Sequence, residues 1–171
     1  MDITFLRHAA LPKSEQKKFH GWSNISIDEE LFKYSKVEKL KEEQFDFIIS
    51  SDLQRCTQTL NKMGLTYKTD KRLREICFNN EIEGKSFEDV ESLESYSSEY
   101  LHSESSWHGY VCKESKKEFQ IRLRDFLSSL PKGKILICSH KGAIVEMLSM
   151  FDCSIKNLDY LEYIGVNSEL Q

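Results

Sequence analysis

The chain has 171 residues, 39% of them hydrophobic, with 24 Lys and Arg against 28 Asp and Glu, the size and balance of one compact domain spanning 1–171. A formal charge of −4 without a clustered basic face excludes general nucleic-acid binding, so any phosphate site must be basic only locally. No run approaches the roughly 18 apolar residues of a membrane span and no basic-then-apolar leader opens the chain, so a cytoplasmic protein with no membrane contact is expected.

Residues 3–6 form a short apolar run that stops at Arg7 and His8. It is too short for a helix and reads as a buried strand that delivers a cation and an imidazole to the sheet edge where open α/β folds place ligands. The polar stretch 11–26, with Pro12, Gly21 and Trp22, reads as an ordered loop anchored by its tryptophan, and Lys17 and Lys18 as a solvated face. Over 28–43, Leu31, Tyr34, Val37 and Leu40 recur three apart, with acids early and lysines late, which predicts an amphipathic helix. A second buried strand, 45–49, ends in Ser50, Ser51 and Asp52 before a helical pattern resumes at Leu53. Ser51 with Gln54 has the form of a capping box, Asp52 being the other candidate cap; either way Arg55 falls in the first helical turn.

A short strand is expected at 66–69, then Leu73, Arg74, Glu75 and Ile76 lead into the polar turn 78–84. Phe87, Val90, Leu93, Tyr96 and Tyr100 at helical spacing predict one or two surface helices over 86–101, whereas 102–112 carries no periodic signal. Phe119, Leu123, Phe126, Leu127 and Leu130 mark a helix over 114–130, stopped by Pro131 and Gly133. The strand 135–138 ends in Ser139 and His140, and Lys141 and Gly142 open onto a helix over 143–150. A final strand is expected over 158–166. Five cysteines, odd in number and never C-x-x-C, signal neither a disulfide framework nor a zinc site, and are expected to be reduced thiols.

Strands alternating with helices predict a three-layer α/β/α sandwich around a mostly parallel central sheet. Three strand ends then carry Arg7 with His8, the 51–55 turn, and His140. Arginine forks and a helix N-terminus suit a phosphate dianion. Of two histidines, one can attack phosphorus while the other donates a hydrogen bond to the equatorial oxygens. A carboxylic acid such as Glu75, with apolar neighbours, can protonate the leaving oxygen. No metal or cofactor is required.

These residues resemble the histidine phosphatase superfamily, also called phosphoglycerate mutase-like. FLRHAA is similar to its L-R-H-G signature, ISSDLQRCTQT to S-S-D-L-x-R-A-x-Q-T, LREICFNNEIEG to L-R-E-I-x-F-G-x-W-E-G, and ILICSHKG to V-x-V-S-H-G-G. GWSNISI and KESKKEFQIRL resemble G-W-x-D-x-P-L and G-E-S-x-x-x-F-x-x-R of the phosphatase group. The resemblance implies His8 as phosphorylated nucleophile, Arg7 and Arg55 as phosphate clamps, Glu75 as acid and base, and His140 as transition-state donor. Ala9 and Lys141 stand where the family has glycine, and Asn79, Asn80 and one extra residue disturb the third of these motifs; a methyl at position 9 is expected to crowd the pocket.

His20 and Trp22 are candidates for the substrate rim, and Lys141 is positioned for a substrate's second anionic group. His102 and His108 match no motif. Arg74 would point away from Glu75 in extended chain, into a structural salt bridge. The expected function is a metal-independent phosphatase acting on a small phosphorylated metabolite through phosphohistidine, in the α-ribazole phosphatase and sugar-phosphate phosphatase group. A cofactor-dependent mutase-type phosphotransferase and a catalytically degenerate phosphate-binding protein are the alternatives. No oligomeric state is legible.

Overall fold

The computed structural model describes residues 2–155 and 157–167. Its strands are β1 (Asp2–Arg7), β2 (Phe47–Ser50), β3 (Lys68–Thr69), β4 (Lys134–Ser139) and β5 (Tyr163–Asn167). Its α-helices are α1 (Glu38–Glu42), α2 (Gln54–Met63), α3 (Phe87–Glu91), α4 (Glu104–Val111), α5 (Lys116–Ser128) and α6 (Lys141–Ser149). The sheet order is β3-β2-β4-β1-β5. All neighbouring pairs are parallel except β5 on β1, so the sheet is mostly parallel as expected.

Alternation along the strands sends side chains to both faces. Ile3 and Phe5 of β1 and Ile135 and Ile137 of β4 pack against Leu123, Phe126 and Leu127 of α5 and Ile144, Met147 and Leu148 of α6. Leu6, Leu136 and Cys138 face the other way, against Leu40 of α1 and Cys56, Leu60 and Met63 of α2. Helices therefore cover both faces, giving the three layers. A satellite core of Ile82, Val90 and Val111, joined by Phe19, Phe78, Trp107 and Tyr110, gathers the 78–112 segment. Among the described residues no helix is long and apolar enough to cross a membrane.

Several expectations are corrected. The helix predicted over 28–43 contracts to α1 and a 3-10 turn at Tyr34–Lys36. The core there takes Ile27, Phe32, Val37 and Leu40, whose first spacings of five suit no single helix face, while Tyr34 stays 53% exposed. Neither Ser51 nor Asp52 caps α2: the cap position is Leu53, and the Gln54 N–H is satisfied by Asn24 Oδ1 at 2.7 Å from the distant loop. Asp52 instead receives both Nε (2.8 Å) and Nη2 (2.6 Å) of Arg74, the structural pair expected for that arginine. The final strand shortens to β5 because Leu158 and Leu161 are buried in a turn, with Leu161 at φ 59°. The segment without periodicity holds α4, nucleated by Ser103, whose hydroxyl accepts the Ser106 N–H at 3.0 Å.

Candidate active site

Strand register assembles the site. Arg7 stands opposite Ser139, and Ser50 opposite Cys138, so the carboxyl ends of β1, β2 and β4 lie side by side. The residues that follow them, His8, Ser51 and His140, are all buried. Over them opens a cleft of about 440 Å³ lined by Arg7, His8, Arg55, Glu75, His140 and Tyr160, with Phe19, His20, Phe78 and three lysines. The five residues expected to share a phosphate are thus brought to one cavity.

Hydrogen bonding gives the two imidazoles complementary protonation. His8 Nδ1 lies 2.8 Å from the Ala9 carbonyl, which can only accept, so Nδ1 carries the proton and Nε2 the lone pair. At His140, Arg55 Nε, which can only donate, points at Nδ1 over 2.9 Å. The His140 proton is therefore on Nε2, directed at Ser51 Oγ at 2.9 Å. The ring centroids are 5.4 Å apart. Burial, reinforced by Arg55, holds both rings well below the ordinary imidazole pKa, so each is neutral.

Arg7 is clamped from the β5 side. Its Nη1 donates to the Leu158 carbonyl at 2.6 Å, and its guanidinium carbon sits 3.9 Å from the Tyr160 ring centroid. Its Nε is buried without a partner among the described residues. Arg55 is 1% exposed and fastens the 20–23 loop: Nη1 donates to Ser23 O (2.8 Å) and Nη2 to His20 O (3.3 Å) and Gly21 O (2.7 Å). Glu83 complements it by accepting the N–H groups of Gly21 (2.9 Å) and Ser23 (3.1 Å). Desolvation lowers the pKa of both arginines, a burial cost that an anion in the cleft relieves.

Glu75 is held by backbone. Oε1 accepts its neighbour Ile76 N–H at 2.9 Å, and Oε2 accepts Gly142 N–H at 2.8 Å, in the first turn of α6. A Cβ on Gly142 would sit 2.5 Å from Glu75 Oε1, so only glycine admits this approach. Behind it, Arg122 donates to the carbonyls of Arg72 (2.7 Å), Arg74 (2.8 Å) and Glu75 (2.9 Å) and is braced by Glu114. Gly142→Ala is expected to displace the carboxylate and lower turnover of an alkyl phosphate on the order of 10²-fold, with the thermal midpoint little changed because alanine favours helix. Unaltered kcat would contradict the positioning of Glu75.

Other predicted residues divide. His20 lines the cleft, its ring tied to Glu15 and Ser23. Trp22 is absent from the lining and 43% exposed; it anchors the loop through a 2.9 Å hydrogen bond from Nε1 to the Glu75 carbonyl. Lys141 lines the cleft, and so do Lys17 and Lys18, which therefore form no ordinary solvated face. Ala9 does not crowd the pocket: it is fully buried in the apolar cluster with Leu6, Cys56 and Leu161. Sequence reasoning missed Tyr160, which no motif marks. It also left Glu114 and Arg122 without roles, although both lie inside the motif-like segment KESKKEFQIRL, and it weighed Glu83 only as a fallback for the acid.

The sequence pattern of the histidine phosphatase superfamily (branch 1) matches residues 3–166. The chain belongs to this family. Comparison with curated proteins gave no significant match. Among solved structures, this histidine phosphatase superfamily member is similar to TTHB049 from Thermus thermophilus, with 21% identity and a TM-score of 0.76 over 98% of this chain and 94% of that one. It is similar to a phosphoglycerate mutase from the same organism, with 21% identity and a TM-score of 0.73 over 98% and 93% of the two chains. A mycobacterial glucosyl-3-phosphoglycerate phosphatase matches with 19% identity and a TM-score of 0.71 over 88% and 79%. These likenesses establish the phosphoglycerate mutase-like fold. Family membership supports phosphatase or mutase-type chemistry in general.

Proposed function

We propose that this protein is a metal-independent, cytoplasmic phosphomonoesterase that moves the phosphoryl group of a small ester to His8 and then to water. The observation that carries the proposal is the pairing, in one cleft, of His8, whose Nδ1 is committed to the Ala9 carbonyl, with His140, whose Nε2 faces Ser51 Oγ. His8 Nε2 attacks phosphorus while the P–O bond to the leaving group breaks. Arg7 and Arg55, which both line the cleft, offset the equatorial charge. A phosphoryl oxygen replaces Ser51 Oγ as acceptor for His140. Glu75 gives its proton to the departing oxygen, then takes one from the water that cleaves the phosphohistidine. Every proton is returned after one cycle.

Hydrolysis of an alkyl phosphate and of p-nitrophenyl phosphate in EDTA tests the proposal. Turnover that survives chelation is expected; activity that appears only with added magnesium or zinc would overturn it, and binding without turnover would assign the degenerate alternative. Phosphate transferred to a second hydroxyl compound rather than to water would assign the mutase-type alternative.

The same geometry sets a pH expectation. Because burial beside Arg55 and Arg7 holds His8 well below the ordinary imidazole value of 6.5, the nucleophile stays unprotonated as pH falls through 6.5 and is lost only in more acid solution. NMR titration of the His8 ring in the free protein checks this, and a midpoint at or above 6.5 would contradict it.

A further inference from the structure

We propose that Lys17 and Lys141 form a second anion subsite in the cleft, so that the substrate is a phosphate ester bearing a further acidic group, a carboxylate or a second phosphate; this rests on the hydrolytic function proposed above. The cleft draws Arg7, Lys17, Lys18, Arg55 and Lys141 together against only Glu15 and Glu75, in a chain of formal charge −4. These cations differ in what they already hold. The two arginines act on His8 and are assigned to the transferred phosphoryl group. The Lys18 ammonium is matched by Glu15 Oε1 at 3.1 Å. Among the described residues Lys17 and Lys141 form no ion pair, and Lys141 Nζ donates at 2.7 Å to the neutral amide oxygen of Asn157.

The place of each lysine is built into the backbone. Lys141 follows His140 directly and opens α6. Lys17 has φ 65°, a left-handed conformation that non-glycine residues rarely adopt. Its neighbours hold it there. Lys18 bridges Ser86, Phe19 N–H donates to Lys85 O at 2.9 Å, and Gln16 Nε2 donates to Leu11 O at 2.8 Å. A cation carried on a pinned backbone loses less freedom on meeting an anion than one on a free loop. A monoester's two charges meet the arginines, so the remaining positive charge selects a substrate with one acidic group more.

The test compares ω-phosphooxy-alkanoates of about two to five carbons, and the corresponding diol bisphosphates, with alkyl phosphates of equal length; the first two series separate carboxylate from phosphate. At one or more lengths kcat/KM is expected to exceed that of the alkyl phosphate about tenfold or more. That ratio should shrink with added salt, as screening shortens to about 10 Å at 0.1 M. In Lys17→Met/Lys141→Met the ratio should fall towards one, and Lys17→Arg/Lys141→Arg should restore it. A purely structural role would lower both series together and leave the ratio intact. No preference at any length, or a preference that survives the double methionine variant, would overturn the subsite. If no ester is hydrolysed, the hydrolytic function fails, and the same comparison made on equilibrium Kd decides the subsite alone.

Discussion

His8→Ala is expected to lower turnover on the order of 10⁴ to 10⁶-fold, the scale on which enzymes lose a covalent nucleophile. The effect is large because nothing nearby can substitute. The His140 ring is 5.4 Å away by centroid, and both of its nitrogens are engaged by Arg55 and Ser51. The fold should persist, since the His8 ring rests on the rings of His140 and Tyr160 rather than in the apolar clusters of the core. Circular dichroism and the thermal midpoint check that point in parallel. Turnover within tenfold of wild type would remove His8 from the chemistry.

The second large effect belongs to Glu75 and depends on the leaving group. Nitrophenolate departs with little help, whereas an alkoxide needs a proton in the transition state. Glu75→Gln is expected to cost on the order of 10² to 10⁴ in the single-turnover rate with an alkyl phosphate and far less with p-nitrophenyl phosphate. The amide also sets one N–H₂ group against the N–H of Ile76 or Gly142, both of which donate to the carboxylate. That misfit penalises both substrates alike, so the difference between them isolates proton donation. Single-turnover rates are required because water attack, which also uses Glu75, levels the two losses when it is limiting. Equal losses would assign the acid elsewhere. Glu83 and Glu81 are poor replacements: Glu83 Oε1 holds the N–H groups of Gly21 and Ser23, and Glu81 accepts from Ser95.

The strand ends were legible because a buried strand of a parallel sheet is a short apolar run, and its boundary is visible where Arg7, Ser50 and His140 interrupt it. From there register alone brings the ends together. Local pattern failed where distant partners decide. Residues 28–43 have helical spacing, yet the cover over the second core face selects Ile27 and Phe32 instead of Leu31 and Tyr34. The cap of α2 comes from Asn24, 30 positions away. Tyr160 reaches Arg7 only because the 158–162 turn doubles back on β1, with Leu161 N–H donating to Arg7 O at 3.2 Å. Lys17 and Lys18 look like any hydrated pair until the 84–86 segment folds against them. The family motifs identified the cleft's chemical groups, while the contacts that hold them, such as Arg122 on the Glu75 carbonyl, needed the fold.

The central claim is that the phosphoryl group passes through His8 Nε2, and rapid acid-free quenching during turnover of a ³²P-labelled ester tests it most directly. Label on His8, stable to alkali and released by acid, at up to about one phosphoryl group per chain, is the predicted result. Active turnover with no label on His8, or with label on another residue, would contradict it.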